Sequence, residues 1–293
     1  MLELRQLRYF LMVAEELHFG RAAQRLHMTQ PPLSQAIQAL ENELEIELFS
    51  RTTRQIRLTA AGHLLQQQAR QICQQSEQLK PLLQRASKGE TGLLRLDFVS
   101  IADYSILPET LLHFHQRYPE VQIELREATS DLQWRSLDMQ ECDAGILLAP
   151  IPERLQTSLH YRSLRQERLL LALPANWQAS PEKLHSAYLA QQALVIFPRK
   201  VAPALYDLIM QEFAAVGLTP KLGQQAIQMQ TIISLVAAGM GYAIVPESVA
   251  NLRRAGVVYQ SWSDSRACIE LGIAWRRDDN NPVLANFLSL LQS

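Results

Sequence analysis

Cysteine, metal-ligand clusters and long apolar runs are scarce in this sequence, and each scarcity excludes a class of protein. The three cysteines, Cys73, Cys142 and Cys268, lie far apart and are odd in number, so neither a disulfide framework nor a Cys-x-x-Cys zinc site is predicted. No stretch approaches the roughly twenty apolar residues that a membrane-spanning helix needs. Acidic residues interrupt the apolar positions near the N-terminus, unlike a secretory signal. We therefore expect a cytoplasmic protein with no metal, cofactor or membrane partner.

The chain also lacks any excess of charge, because 28 basic residues face 29 acidic ones and leave a formal net charge of −1. Nucleic-acid binding would therefore have to rest on local charge and geometry. Arginine outnumbers lysine by 23 to 5, which favours specific hydrogen bonding over diffuse attraction. What is present is an ordinary globular composition, 47% hydrophobic in 293 residues, which suffices for two or three domains.

Residues 1–58 have the pattern of closely spaced short helices, the first over Glu3–Glu16 and the second over Gly20–Leu26. A third helix must begin at the adjacent prolines Pro31 and Pro32. Mid-helix, proline costs about 3 kcal/mol or more, whereas in the first turn its missing amide hydrogen sacrifices nothing. The prolines therefore mark a helix start.

The same prolines deprive the residue before the helix of its usual partners. If Thr29 is the N-cap, the N2 and N3 positions are Pro31 and Pro32, which have no amide hydrogen to donate. Two interpretations stay open. Either Gln30 is the cap, or the Thr29 hydroxyl bonds a group outside the helix, for which a phosphate is a candidate.

The second and third helices, joined by a tight turn, match a helix-turn-helix whose second helix enters the DNA major groove. The face of the third helix opposite its apolar stripe carries groups that can pair with base edges; these are Pro31, Ser34, Gln35, Gln38 and Asn42. Residues 49–58 then alternate around a polar turn and predict a β-hairpin wing bearing Arg51, Arg54 and Arg57. The alternative is a small helical bundle with a glutamine-rich surface.

Residues 59–88 predict one long helix that begins at Thr59 as N-cap. Its apolar positions alternate at spacings of four and three, as in a two-stranded coiled coil; they are Leu65, Ala69, Ile72, Ser76, Leu79, Leu83 and Ala86. Such a seam needs a partner helix, or else packs on the protein's own body. Pro81 is predicted to kink this helix or to split it near Glu77.

From Gly92 onward, short apolar strands alternate with amphipathic helices, which predicts a parallel sheet flanked by helices. The predicted elements are 94–99, 106–118, 121–126, 131–140, 144–149, 169–173, 194–197, 204–216, 229–238 and 242–245. Two such α/β subdomains imply a cleft at the carboxyl ends of strands. Two of those ends are polar, at 100–103 and at Pro198-Arg199.

Three stretches together resemble the fingerprint of the LysR-type transcriptional regulators along essentially the full chain. They are "LRQLRYFLMVAEELHFGRAAQRLHMTQPPLSQAIQALENEL", "LFSRTTRQIRLTAAG" and "LVAAGMGYAIVPESV". In addition, "LVIFPRKVAPALYDLIMQEFAAVGL" and "QQAIQMQTI" are similar to the branch that senses aromatic compounds and their catabolites.

The resemblance implies an N-terminal all-α winged helix-turn-helix, a long linker helix, and a C-terminal α/β effector domain of two Rossmann-like subdomains, similar to periplasmic binding proteins. The expected boundaries are 1–58 for DNA binding, 59–88 for the linker, 92–161 with 266–293 for subdomain I, and 162–265 for subdomain II. The chain crosses between subdomains near Tyr161 and Ser265.

The resemblance also implies site residues. DNA contacts fall on Gln30, Pro31, Ser34, Gln35, Arg51 and Arg54, beside the Thr29 inferred above. The effector pocket falls on Ser100, Ile101, Ala102, Thr129, Phe197, Pro198, Arg199, Val201 and Gln228. Three positions depart from the family pattern: Glu45 and Gln140 replace common glycines, and Leu148 stands where several relatives that sense aromatic acids carry arginine.

The expected function is therefore DNA-binding transcription regulation modulated by a small-molecule effector, for which aromatic and dienoic acids are candidates, bound between the two subdomains. The implied partners are an interrupted palindromic operator in double-stranded DNA, a second copy paired through the linker helix, a homotetramer, and RNA polymerase. The alternatives are a pure solute-binding protein, an enzyme, and a redox sensor that uses Cys142 and Cys268. No catalytic constellation supports the enzyme.

Overall fold

The structure is a computed structural model that describes residues 2–51, 56–177 and 184–291. The chain divides into two units, Met1–Arg85 and Ala86–Ser293, and each has its own hydrophobic core. The first unit is helical with a small hairpin, and the second is α/β.

The first unit is built on the three predicted short helices, which the structure confirms: α1 (Leu4–Glu16), α2 (Phe19–Arg25) and α3 (Gln30–Leu44). Their apolar stripes meet in one core, in which Phe10, Ile37 and Leu40 are fully buried. The predicted hairpin is also present, with β1 (Phe49–Arg51) antiparallel to β2 (Ile56–Leu58).

Glu45, one of the departures from the family pattern, lies in the left-handed backbone region directly after α3, at φ 55°. This conformation lets the amide of Ile46 donate to the carbonyl of Glu41 at 3.1 Å and closes the helix end. The turn into the hairpin therefore has the geometry that a glycine would give, although a side chain is present.

The long helix α4 (Ala60–Ser87) runs without interruption through Pro81, so the predicted split near Glu77 is wrong. Pro81 has no amide hydrogen to donate to the carbonyl of Glu77, four residues earlier. Because Glu77 and Pro81 are both exposed, water can donate to this carbonyl instead. The Thr59 hydroxyl accepts from the amide of Gly62 at 3.0 Å, which confirms the predicted N-cap.

The apolar positions of α4 serve two different faces. Ala69 and Cys73 are buried in the core of the first unit, so part of the predicted seam packs on the protein's own body. A second face leaves large side chains between 44% and 63% exposed; it consists of Leu64, Ile72, Leu79, Leu82 and Leu83.

The second unit contains a mixed sheet. Its strands are β3 (Thr91–Phe98), β4 (Glu120–Glu127), β5 (Ala144–Leu148), β6 (Leu159–Pro174), β9 (Ala243–Pro246), β10 (Val257–Ser261) and β11 (Cys268–Arg276). The order is β10-β6-β11-β5-β3-β4, with β9 also paired to β6. A separate parallel pair joins β7 (Ala193–Ile196) and β8 (Lys221–Gln225).

Helices flank these sheets: α5 (Ser100–Asp103), α6 (Leu107–Arg117), α7 (Ser130–Asp138), α8 (Ser186–Leu189), α9 (Pro203–Ala215), α10 (Met229–Ala237) and α11 (Pro282–Leu290). Short 3-10 turns cover 153–155, 175–177 and 247–252. The alternation of strands and helices predicted from periodicity is thus confirmed for α6, α7, α9 and α10.

Two long strands make the sheet less parallel than predicted. β3 is parallel to β4 and β5, but β11 is antiparallel to both β5 and β6. Residues 159–168 of β6 pair with β11, whereas residues 169–174 pair with β9 and β10. The first half of β6 is largely polar, which is why only its apolar second half is evident in the sequence.

Candidate functional site

The first candidate site is the exposed face of α3 near its N-terminus. Gln30, Pro31 and Gln35 are exposed and Ser34 is half-buried, while Leu33 and Ile37 anchor the opposite face with no exposure. Within the described parts of the chain, the side chains of Gln30, Ser34 and Gln35 make no hydrogen bond. Their donors and acceptors are therefore available to an external partner.

Thr29 is the N-cap residue of α3, and its side chain makes no capping bond. Gln30 is already the first helical residue, so the interpretation that Gln30 is the cap is wrong. The structural reason is the one predicted: Pro31 and Pro32 have no amide hydrogen to donate to the Thr29 hydroxyl. The outside partner for this hydroxyl stays a prediction.

The hairpin after α3 is held by a buried carboxylate that the sequence did not single out. The Glu41 carboxylate accepts from the backbone amides of Leu48 and Phe49 at 2.8 and 3.1 Å. Its position four residues after the buried Ile37 was the available signal. Arg51 is described only as a backbone position of β1, and Arg54 lies outside the described residues.

The second candidate site is a cleft of about 510 Å³, including its mouth, at the carboxyl ends of β3, β4, β5 and β7. Six of the nine predicted effector residues line it: Ser100, Ile101, Thr129, Phe197, Val201 and Gln228. They come from segments more than 100 residues apart along the chain, which the sheet brings together.

The other three predicted residues do not line the cleft. Ala102 is fully buried behind it, and Pro198 lies outside its wall. The guanidinium of Arg199 is exposed and donates two hydrogen bonds to Asp207, at 2.7 and 2.8 Å. This pairing holds the pKa of Asp207 below its usual range. Arg199 is therefore engaged in a surface ion pair with α9.

The structure adds cleft residues that the sequence did not predict. The most important are Glu127 at the end of β4, Ser130 at the start of α7, and Leu148 at the end of β5. Ser130 accepts from the amide of Leu148 at 3.1 Å, which ties two walls together. Burial, and then the negative charge of Asp103, raise the pKa of Glu127.

Tyr104 connects the two sides of the second unit beside the cleft. Its carbonyl accepts from the Asn251 side-chain amide at 2.7 Å. Burial raises the pKa of its phenol, and the nearby side chains of Gln230 and Ser100 oppose this shift. No sequence pattern pointed to Tyr104, because the contact joins positions 147 residues apart.

The cysteines do not form a redox pair in this fold. Cys142 is buried, and burial raises the pKa of its thiol to about 12, whereas Cys268 is exposed. Cys142 lies two residues before Ala144, which pairs with Trp275 of β11. Trp275 is seven residues from Cys268 on the same strand, a separation of roughly 23 Å. A disulfide needs Cα atoms closer than about 7 Å, so the alternative of a direct Cys142–Cys268 switch is not supported.

Among the described residues, no helix is both long and apolar enough to cross a membrane. Likewise, no group of three or more His, Cys, Asp or Glu side chains in the described ranges converges as a metal site.

A helix-turn-helix whose polar face makes no hydrogen bonds within the described chain, followed by an α/β unit with a cleft at its strand ends, is typical of ligand-responsive DNA-binding regulators. Family models agree: residues 4–63 match the bacterial regulatory helix-turn-helix protein, lysR family, and residues 87–293 match the LysR substrate binding domain. The chain belongs to the LysR family, and it is a DNA-binding transcriptional regulator with an effector domain.

Similar proteins support this assignment along the whole chain. The chain is 45% identical to the transcriptional regulator IlvR of Caulobacter vibrioides, over 99% of this chain and 97% of that protein. It is 38% identical to AlsR of Bacillus subtilis, over 99% and 95%. Among solved structures, full-length CbnR in complex with its target DNA matches with a TM-score of 0.84 and 28% identity, over 99% of both chains.

Proposed function

We propose that the N-terminal half of α3 reads operator bases through Gln30, Ser34 and Gln35, with Pro31 against the backbone. The observation that carries this proposal is the set of exposed amide and hydroxyl groups without partners in the described chain. Glutamine can pair with adenine in the major groove. Thr29, Arg51 and Arg54 are assigned to phosphates, which position a helix but carry no sequence information.

The test is Gln35→Ala, measured by fluorescence anisotropy on the DNA upstream of the protein's own gene. Losing one good base contact costs about 1–3 kcal/mol, so the affinity should fall about 5- to 150-fold. Gln74→Ala removes an exposed glutamine from α4 and is the matched control. Unchanged affinity after both Gln35→Ala and Ser34→Arg would remove the assignment.

We also propose that two copies pair through the exposed apolar face of α4. The stripe of Ile72, Leu79 and Leu83, at spacings of seven and four, is too apolar to leave uncovered on a surface helix. A dimer places two recognition helices on the two halves of an interrupted palindrome, and a homotetramer would double this arrangement.

Leu79→Glu should convert the dimer into a monomer by light scattering, while Gln74→Glu, on another face of α4, should not. A monomer also loses the second half-site, so its operator affinity should fall steeply. An unchanged mass would show that this face does not hold the copies together.

The cleft is proposed to hold the effector between subdomain I (92–161 with 266–293) and subdomain II (162–265). The support is its position at strand ends and a lining that combines hydroxyls with apolar walls. Phe197, edge-on to Tyr206 with ring centroids 6.4 Å apart, provides an aromatic wall. That wall supports an effector related to aromatic compounds. So do residues 194–218 and 224–232, whose sequence is similar to the branch of the family that senses such compounds.

Effector binding can shift the protein between DNA-binding states only by its differential affinity for them. Thermal-shift screening of aromatic acids, dienoic acids and other small metabolites should find a stabilising compound. Ser100→Ala combined with Thr129→Ala should diminish that shift, and an undiminished shift would place the site elsewhere.

The role proposed for the chain is purely regulatory. The cleft hydroxyls face no histidine among the described lining residues, which supports a binding rather than a catalytic site. Because its target is operator DNA, we propose that it works in the cytoplasm beside RNA polymerase.

A further inference from the structure

Glu127 gives the cleft a negative charge that has no partner among the residues that the structure describes. It is the last residue of β4, and its side chain makes no hydrogen bond or ion pair with any residue in the described ranges. Asp103 lies close enough for its charge to act on Glu127 in the same direction as burial, raising its pKa. Glu127 is therefore the carboxylate of the cleft wall, and Asp103 adds negative potential at its position.

Positive charge that could balance these carboxylates is missing from the cleft wall. None of its described lining residues is Arg, Lys or His. Arg154, on the adjoining groove, donates to Asp138 at 3.1 Å, and Arg199 is committed to Asp207. An anionic effector would therefore meet repulsion without compensation beside Glu127.

The remaining wall is apolar, with Ile101, Phe197, Val201 and Leu205 among its residues. Gln228, which also lines the cleft, is the N-cap of α10, and that helix has neither a side-chain cap nor an acidic residue in its first turn. The free amides of this turn can donate to an oxygen atom of a ligand. The cleft thus combines a carboxylate acceptor, an apolar wall and backbone amide donors.

We propose that the effector cleft selects a small, largely apolar molecule that carries an ammonium group, and that Glu127 accepts the hydrogen bonds of this group. The inference rests on the proposed role of the cleft as the effector site. An ammonium supplies three donors to the unpaired carboxylate and forms charge-assisted hydrogen bonds with it. A carboxylate at the same place would be opposed by Glu127 and Asp103 together.

The test compares three probes of matched shape, benzylamine, benzyl alcohol and benzoate, by isothermal titration of the full chain at neutral pH. Benzylamine should bind about tenfold or more tightly than benzoate, since hydrogen bonds to charged groups are worth that much. Glu127→Gln should weaken the amine by a similar factor and improve benzoate. Glu124→Gln, the same change of charge on the same strand but outside this cleft, is the control.

Tighter binding of benzoate to the unchanged protein would overturn the proposal. So would amine binding that Glu127→Gln leaves unchanged, or no amine binding at millimolar concentration. The double variant Ser100→Ala with Thr129→Ala distinguishes failure of the proposed effector site from failure of the proposed preference for an ammonium group. If benzoate binds and this variant weakens it, the cleft stands as the effector site and only the charge assignment fails. If neither variant affects any probe that binds, both fail.

Discussion

The two candidate sites of this regulator are built in opposite ways. The face of α3 is convex, and its residues assigned to DNA lie within seven consecutive positions, 29–35. The cleft is concave, and its wall combines residues from position 99 to position 229. A convex site can be identified from one helix and its caps, whereas a concave site depends on which strand ends meet. In both units, some residues stabilise the fold and others of the same type are available to bind a partner.

The largest effect is expected from truncating a core phenylalanine, which should show that the two units unfold in separate transitions. Phe10 packs against Phe49 in the first core and Phe114 against Phe287 in the second, each pair with centroids within 5.4 Å. Truncating either phenylalanine to alanine should cost roughly 3–5 kcal/mol. Because the two cores share no residue, Phe10→Ala should lower one calorimetric transition and Phe114→Ala the other. Equal shifts of both transitions would show that the units unfold as one.

The next effect contrasts two glutamates. Glu41 is buried and accepts from two backbone amides, whereas Glu127 is exposed to the cleft and has no partner in the described chain. Glu41→Ala should destabilise the first unit by about 2–3 kcal/mol because both amides lose their acceptor. Glu127→Ala should stay within about 0.5 kcal/mol in denaturant unfolding, as surface substitutions do. A large loss from Glu127→Ala would mean that it serves the fold instead of a ligand.

A smaller effect contrasts two threonines at helix starts. Thr59 caps α4 through the amide of Gly62, so Thr59→Val should cost about 1 kcal/mol of unfolding free energy. Thr29 has no capping bond, so Thr29→Val should leave stability unchanged and weaken operator binding by the loss of one phosphate contact. If Thr29→Val destabilises the protein as much as Thr59→Val, the hydroxyl has an internal role. If operator affinity does not change, it has no phosphate contact.

The smallest effect concerns the two replaced glycines, one in each unit. Glu45 and Gln140 both have left-handed backbones, at φ 55° and 59°. Replacing either residue by glycine relieves about 1–2 kcal/mol of backbone strain in the folded state. The same change costs about 0.4–1 kcal/mol of stability, because it raises the conformational entropy of the unfolded chain. Glu45→Gly and Gln140→Gly should each stabilise their own unit slightly in urea titrations. A loss of stability would show that the side chain makes a contribution larger than the strain.

Prediction from the sequence succeeded where one element carries its own signal. The start of α3 at Pro31 and Pro32 and the cap at Thr59 follow from local chemistry, and the structure confirms both. Prediction failed where the tertiary environment of a segment outweighs its local sequence pattern. The polar first half of β6 is a strand only because β11 lies beside it, and α4 continues through Pro81 because an exposed helix tolerates one lost bond.

The helix-turn-helix, the start of α3 and the alternation of strands and helices follow from the sequence, because these features depend on neighbours a few residues away. Tertiary packing is what pairs Arg199 with Asp207 and leaves the Glu127 side chain in the cleft without a partner among the described residues. A charge acts on whatever lies within a few ångströms, and a sequence pattern does not show which groups those are. The partner of Arg199 is eight residues away, and the cleft wall that contains Glu127 combines residues from position 99 to position 229.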